Sequence, residues 1–123
     1  MIEWDSVVRR LDGDGEFRVA ARLWTATVRL DVGAESRALR IEDGRVRSIE
    51  TTAKDSPCDV FVSAPAEAWD RMLRPTPAPF YQDLLSASVH HGVSINPDYL
   101  DFAAYYPALR RMLEVLREAR AGA

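Results

Sequence analysis

Residues 60–73 read VFVSAPAEAWDRML, and within this stretch the hydrophobic period changes from that of a strand to that of a helix. Apolar side chains occupy both faces over residues 60–62, which is typical of a strand beneath helices. Residues 69–73 then follow helical spacing. Ser63 is predicted to cap this helix, with Pro65 tolerated in its first turn. A sheet that gives way to helices must bury one face beneath them.

The residues before this stretch predict an antiparallel meander. Apolar and polar side chains alternate over residues 17–21, 24–32 and 37–42, and Asp43-Gly44 is a strong hairpin signal before a fourth segment, 45–51. In the fourth segment the two aliphatic side chains have opposite parity, which indicates a bulge or an exposed edge. The expected meander therefore has four strands, and residues 60–62 supply a fifth.

The segment 24–32 has one apolar and one polar face. Because side chains alternate along a strand, its apolar residues share the face that we expect to lie under helices. The opposite face is predicted to lie in water, and it carries Thr25, Thr27, Arg29 and Asp31.

A short amphipathic helix is predicted ahead of the strands. Trp4, Val7, Val8 and Leu11 recur at helical spacing, and the two glycines of residues 12–15 stop the pattern. We expect this helix to pack against an edge of the sheet.

Further helices are predicted beyond the proline-rich connector 74–79. The prolines exclude a helix interior there, and a helix over residues 80–91 follows, with Phe80 on its apolar stripe and Gly92 at its end. Residues 93–95 are short and β-branched, which favours a last edge strand.

The final segment predicts one interrupted helix. Residues 96–98 carry the cap and first-turn proline of a helix start, and Pro107 is expected to kink or restart it. The apolar side chains of residues 109–116 follow the helical template, whereas Glu114 and Arg117 are predicted to face water. The order of elements thus indicates an α+β domain, with about five largely antiparallel strands covered on one face by helices.

Composition is that of one ordinary globular domain, residues 1–123. The net charge of -3 gives no general attraction for nucleic acid, and the arginine pairs at 9–10 and 110–111 are predicted to be solvated. No apolar run approaches the roughly 20 residues of a membrane span, and the first residues do not resemble a signal peptide, so stable membrane insertion is not expected. The single cysteine, Cys58, fits a reducing compartment, and the expected location is the cytoplasm.

Two segments resemble the sterol carrier protein 2 family of lipid-binding domains. They are residues 39–46, LRIEDGRV, and residues 58–69, CDVFVSAPAEAW, and the resemblance extends over about residues 16–110. It implies an α+β lipid-binding domain without a catalytic motif. The chain departs from the family pattern at residues 88–92, SVHHG, where the family carries a glycine-rich passage. It also adds a long helix around Pro107, which could cover the pocket or fill it.

The resemblance and the predicted layers together favour binding or carriage of a hydrophobic small molecule, such as a lipid, a sterol-like or a polyketide-like compound. Apolar burial would drive binding, and tyrosine or backbone groups would orient the ligand. The predicted lining of a tunnel between sheet and helices comprises Trp24, Val28, Leu30, Leu39, Ile41, Trp69, Met72, Phe80, Leu84, Phe102, Tyr105, Leu109 and Met112.

An alternative function is that of a non-catalytic accessory domain with a filled core. Such a domain would form a homodimer or dock on a partner enzyme through its C-terminal helix. A small cyclase or isomerase using His90, Asp98 or Asp101 is a third interpretation. Adjacent His90 and His91 point about 100° apart on a helix, so they do not predict a metal site, and no cofactor motif is present.

Overall fold

Eleven helices and strands make up the part of the chain that the computed structural model describes, residues 2–95 and 99–121. In chain order they are α1 (Trp4–Gly13), α2 (Gly15–Ala20), β1 (Ala26–Val32), β2 (Glu35–Glu42), β3 (Arg45–Thr52), β4 (Val60–Ala64), α3 (Ala66–Met72), α4 (Leu84–His91), β5 (Ser94–Ile95), α5 (Tyr99–Ala104) and α6 (Tyr106–Ala121).

The strands form one sheet in the order β3-β2-β1-β4-β5. Neighbouring strands are antiparallel except β1 and β4, which pair in parallel with Val28 opposite Val60. The chain therefore crosses from the β3 edge to the far side of β1 through residues 53–59. The predicted α+β class and largely antiparallel sheet are confirmed, but the meander has three strands instead of four.

The hairpin between β2 and β3 is confirmed at Asp43-Gly44. Arg40 pairs with Ser48 and Ile41 with Val46, so Arg47 is an extra residue in β3. This bulge accounts for the opposite parity of the aliphatic residues in the strand. Strand β3 also lies at the edge of the sheet, so both predicted features occur together.

The predicted strand at residues 17–21 is wrong, because this segment forms α2. Asp14 caps the helix by accepting a hydrogen bond from the Phe17 backbone N–H at 2.8 Å. The same carboxylate receives two hydrogen bonds from Arg111 of α6, at 2.7 and 2.9 Å. Phe17 is then buried under the helix, whereas Val19 points outward at 70% exposure.

Asp14→Ala is expected to lower the free energy of unfolding by about 1–2 kcal/mol at neutral pH, because α2 loses its cap. Asp14→Asn should cost less, since asparagine also caps helices. The hydrogen-bonded Arg111 guanidinium holds the pKa of Asp14 below its usual value. A carboxyl with a lowered pKa stabilises the fold at any pH above the pKa that it has in the unfolded chain. This stability is lost as the pH falls through the pKa that it has in the folded protein.

Wild type should therefore lose more stability than Asp14→Asn between about pH 4 and pH 2. Urea unfolding of both proteins at the two ends of this range measures the difference. Equal losses on acidification would contradict the assigned ion pair.

The covered face of the sheet forms the hydrophobic core with the helices. Val28, Leu30 and Leu39 are at most 1% exposed, and they belong to one cluster with Leu109 and Leu116 of α6. The predicted buried stripe of α3, residues 69–73, is confirmed by Trp69, Met72 and Leu73.

The predicted cap of α3 is wrong. Ser63 lies within β4, where it pairs with Asp31, and Pro65 occupies the cap position without a side-chain hydrogen bond. The strand continues to Ala64, so the helix cannot begin until the backbone leaves the β1 pairing.

The opposite face of the sheet was predicted to lie in water, but part of it is buried. Arg29 and Asp31 are 8% and 1% exposed, and they form an ion pair with Nε 3.0 Å from Oδ1. Ser36 donates a hydrogen bond to Asp31 at 2.7 Å, and Arg29 donates to the Ser56 carbonyl at 2.6 Å. The crossover 53–59 thus covers this pair, because it supplies a backbone acceptor for the guanidinium.

Helix α4 begins at Leu84 and not at the predicted Phe80. Phe80 has a φ of 66°, which a right-handed helix does not accept, so residues 80–83 form an irregular lead into the helix. The end is confirmed at Gly92, whose φ of 67° is the left-handed conformation of a helix terminus. The predicted edge strand is confirmed as β5, which pairs with β4.

The C-terminal helices confirm the restart at Pro107, which is the second residue of α6. The predicted helix start at residues 96–98 lies outside the described residues. Arg117 was expected to face water, but its guanidinium donates to the carbonyls of Met72, Tyr81 and Gln82. Its three backbone acceptors lie on either side of the proline-rich connector, so Arg117 links α6 to both ends of that segment.

Candidate functional site

The predicted tunnel residues lie mostly inside the hydrophobic core. Eleven of the thirteen are at most 4% exposed, and these are Trp24, Val28, Leu30, Leu39, Ile41, Trp69, Met72, Leu84, Phe102, Leu109 and Met112. Tyr105 is partly buried at the margin of the core, and Phe80 is 46% exposed. The expected place of Phe80 on a buried stripe is wrong, because α4 starts four residues later.

Trp24 and Trp69, both predicted tunnel residues, lie toward opposite ends of β1 and have different environments. The Trp24 ring stacks on Tyr105 with centroids 4.5 Å apart. Its Nε1 is buried, and it has no hydrogen-bond partner among residues 2–95 and 99–121. The Trp69 Nε1 instead donates to the Asp31 carbonyl at 2.8 Å, which fixes its indole against the sheet.

A groove of about 220 Å³ opens where the end of the sheet meets α3, and we call it the seam groove. Its described lining consists of Ile2, Trp4, Val32, Glu35, Ala66, Trp69, Asp70, Leu73 and Arg120. Trp69 is the one predicted tunnel residue in this lining. The α3 contribution follows helical spacing, because Ala66, Trp69 and Leu73 succeed one another at three and four residues.

The two tryptophans that form the walls of the seam groove are fixed by contacts with residues behind them. The Arg37 guanidinium lies over the Trp4 ring, 5.6 Å from its centroid, and 3.6 Å from the Glu35 carboxylate. On the opposite wall Trp69 is fixed by its bond to the Asp31 carbonyl. The two indoles therefore present preset apolar surfaces to the groove.

The charged groups of the seam groove are paired. Arg120 donates to the Asp70 carboxylate and, at 3.1 Å, to the Asp70 carbonyl. Arg74 lies 3.6 Å from the same carboxylate. Hydrogen bonding and charge from Arg120 hold the pKa of Asp70 below its usual value, so this carboxylate stays ionised at neutral pH.

The described lining of the groove contains no serine, cysteine, histidine or tyrosine. Asp70 lies against the Arg120 guanidinium, which holds its pKa down and so disfavours a role of this carboxyl as a proton donor. The arrangement offers apolar surface and one paired guanidinium, and these suit non-covalent binding.

His90, the histidine of the cyclase or isomerase interpretation, and its neighbour His91 both make packing contacts. His90 stacks on Phe80 with centroids 3.9 Å apart, and His91 stacks on Tyr81 at 3.8 Å. The His91 Nε2 also lies 2.9 Å from the Pro79 carbonyl. Among the described residues no three histidine, cysteine or acidic side chains are placed to hold a metal ion. Asp98 lies outside the described residues.

Aromatic side chains meet where α5 gives way to α6. Phe102 and Tyr106 have tilted rings with centroids 5.3 Å apart, and the Tyr106 hydroxyl donates to Asp83. Burial and the neighbouring carboxylate raise the pKa of Tyr106, so its hydroxyl remains protonated. Cys58 is half-buried, and burial raises the pKa of its thiol, which disfavours the nucleophilic thiolate.

Helix α6 is bound into the domain along its apolar side. Leu109, Met112 and Leu116 are at most 2% exposed, and Arg111 and Arg120 reach back to Asp14 and Asp70. The outward residues of this helix are charged, with Arg110, Glu114 and Glu118 exposed. The alternative of docking through this helix therefore finds no apolar face on the described part of α6.

Sequence reasoning missed most of the seam groove. The helical spacing of Ala66, Trp69 and Leu73 was a usable signal, but of these three only Trp69 was assigned to the ligand site. Arg120 lies 50 residues beyond Asp70, and no local pattern indicates that the two meet. Ile2 precedes the first helix, so hydrophobic periodicity gave no reason to place it in a site.

The sequence matches no family model and shows no significant similarity to a curated protein. Solved structures do match. A crystal structure of sterol carrier protein 2 aligns with a TM-score of 0.78 at 20% identity, covering 97% of each chain. A solution structure of a conserved protein from Thermus thermophilus, described as possibly a sterol carrier protein, has a TM-score of 0.72 at 19% identity, covering 93% of this chain and 83% of that one.

A ubiquinone synthesis protein, UbiJ-SCP2, aligns with a TM-score of 0.57 at 15% identity, covering 96% of this chain and 88% of that one. At these identities the matches establish the fold. The fold expected from residues 39–46 and 58–69 is thereby confirmed.

Proposed function

We propose that this chain, which has the sterol carrier protein 2 fold, binds a hydrophobic small molecule and carries it without chemical change. The observation that supports this most directly is the seam groove, an apolar concavity at the junction of sheet and helices. Trp4 and Trp69 form its walls, and both carboxylates of its described lining lie beside arginine side chains. Burial of ligand surface, at roughly 25 cal/mol per Å², would supply the driving force.

The size of the groove limits what it holds. About 220 Å³ is below the roughly 300–1,000 Å³ of sites that enclose a drug-sized ligand. We therefore propose that the groove receives one end of the ligand. The Arg120 guanidinium, which lines the groove beside Asp70, is the group best placed to orient a polar end.

The deeper part of the proposed site would use residues of the predicted tunnel. Leu30 lies two residues before Val32 on the same face of β1, and Met72 lies one turn beyond Trp69 on α3. Both are at most 1% exposed, so a ligand reaching them must displace core side chains. That the remaining residues of the predicted tunnel contact a ligand stays a prediction. We also propose the cytoplasm as the place of action, because the single cysteine, Cys58, fits a reducing compartment.

The variant Ala66→Leu tests whether the ligand binds in the seam groove. Ala66 is exposed and lines the seam groove, so a larger side chain fills the space with little cost to folding. We expect displacement of a bound fluorescent fatty acid to show affinity weaker by roughly tenfold, because about two methylene groups of ligand lose their contact. Ala103→Leu, an equal change at an exposed position of α5, is the matched control and should bind as wild type.

Solvent extraction of the purified protein followed by mass spectrometry tests the function itself. A bound apolar compound is the expected result. Absence of an extracted compound together with absence of fatty-acid binding would refute carriage. Binding that is equal in wild type and Ala66→Leu would retain the function but move it away from the seam groove.

A further inference from the structure

Residues 75–97 form a stretch that is nearly free of charged side chains. The chain as a whole is 28% charged, whereas the one charged residue of this stretch is Asp83, with histidine counted as neutral. The Asp83 carboxylate is engaged within the domain, because it accepts a hydrogen bond from the Tyr106 hydroxyl. The surface that this stretch forms therefore differs in charge from the rest of the molecule.

Helix α4, which lies in this stretch, is apolar on two sides, and the domain covers one of them. Leu84 and Ala87 belong to the core at no more than 1% exposure, whereas Leu85 and Val89 are 43% and 77% exposed. The exposed pair lies four residues apart, so the two side chains are neighbours on the helix surface. Adjoining apolar side chains in a region depleted of charge are typical of the centre of a contact between proteins.

Phe80 extends this apolar surface and is held in place. Its ring is 46% exposed and stacks on His90, the neighbour of Val89, with centroids 3.9 Å apart. Its backbone has a φ of 66°, in the left-handed region that residues other than glycine rarely adopt. An uncommon conformation at an exposed aromatic residue favours a role for that side chain. We call Phe80, Leu85 and Val89 the α4 face.

A second copy of the chain suits an uncharged face better than a different protein does. When a surface meets itself about a twofold axis, charged groups near the axis face the same charge. The α4 face avoids this repulsion, whereas the net charge of -3 makes two copies repel each other elsewhere. A different protein would find no charged group on this face by which to be selected.

The extent of the uncharged surface also fits a contact between two copies. Seventeen of residues 75–95 are exposed or half-buried, which approaches the roughly 20–30 residues that each partner contributes to a stable interface. The eight residues of α4 alone would be too few, so the proline-rich connector must contribute as well. An interface of this size predicts a dimer that dissociates at micromolar concentration.

We propose that two copies of this chain associate through the α4 face about a twofold axis. An axis that passes between the two helices makes them antiparallel, so that Leu85 of each copy packs on Val89 of the other. Phe80 borders this contact. The association does not depend on a bound ligand, because no residue of 75–95 belongs to the described lining of the seam groove.

Sedimentation equilibrium of the full chain, from about 1 to 200 µM, tests the proposal. Wild type is expected to approach the mass of two chains of 13.8 kDa. Val89→Glu should weaken the dimer at least a hundredfold, because it places a carboxylate of each copy near the axis and removes apolar contact. Leu85→Arg should weaken it similarly. Both positions are exposed, so the urea midpoint of each variant should remain near that of wild type.

A mixture of the two variants tests the antiparallel arrangement. The glutamate of a Val89→Glu copy would face the arginine of a Leu85→Arg copy, so the mixture should form a heterodimer although each variant alone is monomeric. Val19→Glu is the matched control on α2, where Val19 is 70% exposed, and it should dimerise as wild type. The proposal is overturned if wild type is monomeric throughout, if Val89→Glu dimerises as wild type, or if Val19→Glu weakens the dimer equally. A mixture that stays monomeric would overturn the antiparallel pairing.

Discussion

Replacing Arg29 with methionine is expected to lower the free energy of unfolding by about 3–5 kcal/mol. The guanidinium makes hydrogen bonds of 3.0 and 3.1 Å to the Asp31 carboxylate, which is 1% exposed. Methionine retains much of the side-chain length but supplies no donor. Asp31 would then be a buried charge with the Ser36 hydroxyl as its remaining side-chain partner, because Ser36 donates to it at 2.7 Å.

The double variant Arg29→Met/Asp31→Leu distinguishes an unpaired charge from lost packing. When both members of a buried ion pair are replaced by apolar groups, the fold often regains most of its stability. We therefore expect the double variant to unfold at clearly higher urea concentration than Arg29→Met, with a similar dependence on denaturant. If the two variants are equally unstable, the cost of the single change lies in packing against Phe61, over which the Arg29 guanidinium sits at 4.9 Å.

Gly44→Ala is expected to destabilise the fold by about 2–4 kcal/mol. Gly44 has a φ of 76°, and a Cβ placed on it would lie 2.9 Å from the Ala21 carbonyl oxygen and 3.2 Å from the Arg22 Cα. Both neighbours are backbone atoms, so neither can rotate aside. The β2–β3 hairpin and the turn after α2 would have to separate, and the bond from Gly44 N–H to the Trp24 carbonyl would be strained.

Gly92→Ala is the matched control. Gly92 has a similar φ of 67°, but a Cβ there would meet nothing within 4 Å. This variant reports the conformational cost alone, which is about 1 kcal/mol. Thermal and urea unfolding of both variants measure the difference between them. Equal losses would show that the close approach of the hairpin to Ala21 contributes no stability.

The sheet was largely predictable because its signals are local. Alternation over residues 24–32 and 37–42 and the Asp43-Gly44 turn specify β1, β2 and their hairpin partner without long-range information. The failure at residues 17–21 has a local cause and a distant one. Five residues with alternating apolar side chains fit a strand or a helix equally. The helix forms because Asp14 caps it and because Arg111, 97 residues away, binds the same carboxylate.

The buried pair on the sheet illustrates a signal that was present but misread. Arg29 and Asp31 are two residues apart, so they share a face of the strand, and Ser36 is the cross-strand partner of Asp31. Opposite charges in this arrangement can satisfy each other when covered. The sequence does not reveal that residues 53–59 cover this pair, because an irregular crossover has no hydrophobic periodicity from which its position could be predicted.

The candidate site was less predictable than the fold. The apolar residues that would line a tunnel are the same residue types that fill a core, and their pattern is identical in both cases. Eleven of the thirteen predicted residues are buried in the core, and whether a ligand reaches them remains a prediction. The seam groove combines Ile2 with Arg120, and contacts between such distant positions depend on how whole layers pack.

The packing of α1 and α2 against α6 has a consequence for biosynthesis. The first helices carry Val7, Leu11 and Phe17, which are at most 1% exposed once the domain is complete. Their cover includes a helix that the ribosome makes roughly a hundred codons later, so it stays incomplete while translation proceeds. We therefore expect the nascent polypeptide to complete its core only after α6 emerges, and to need protection from aggregation until then.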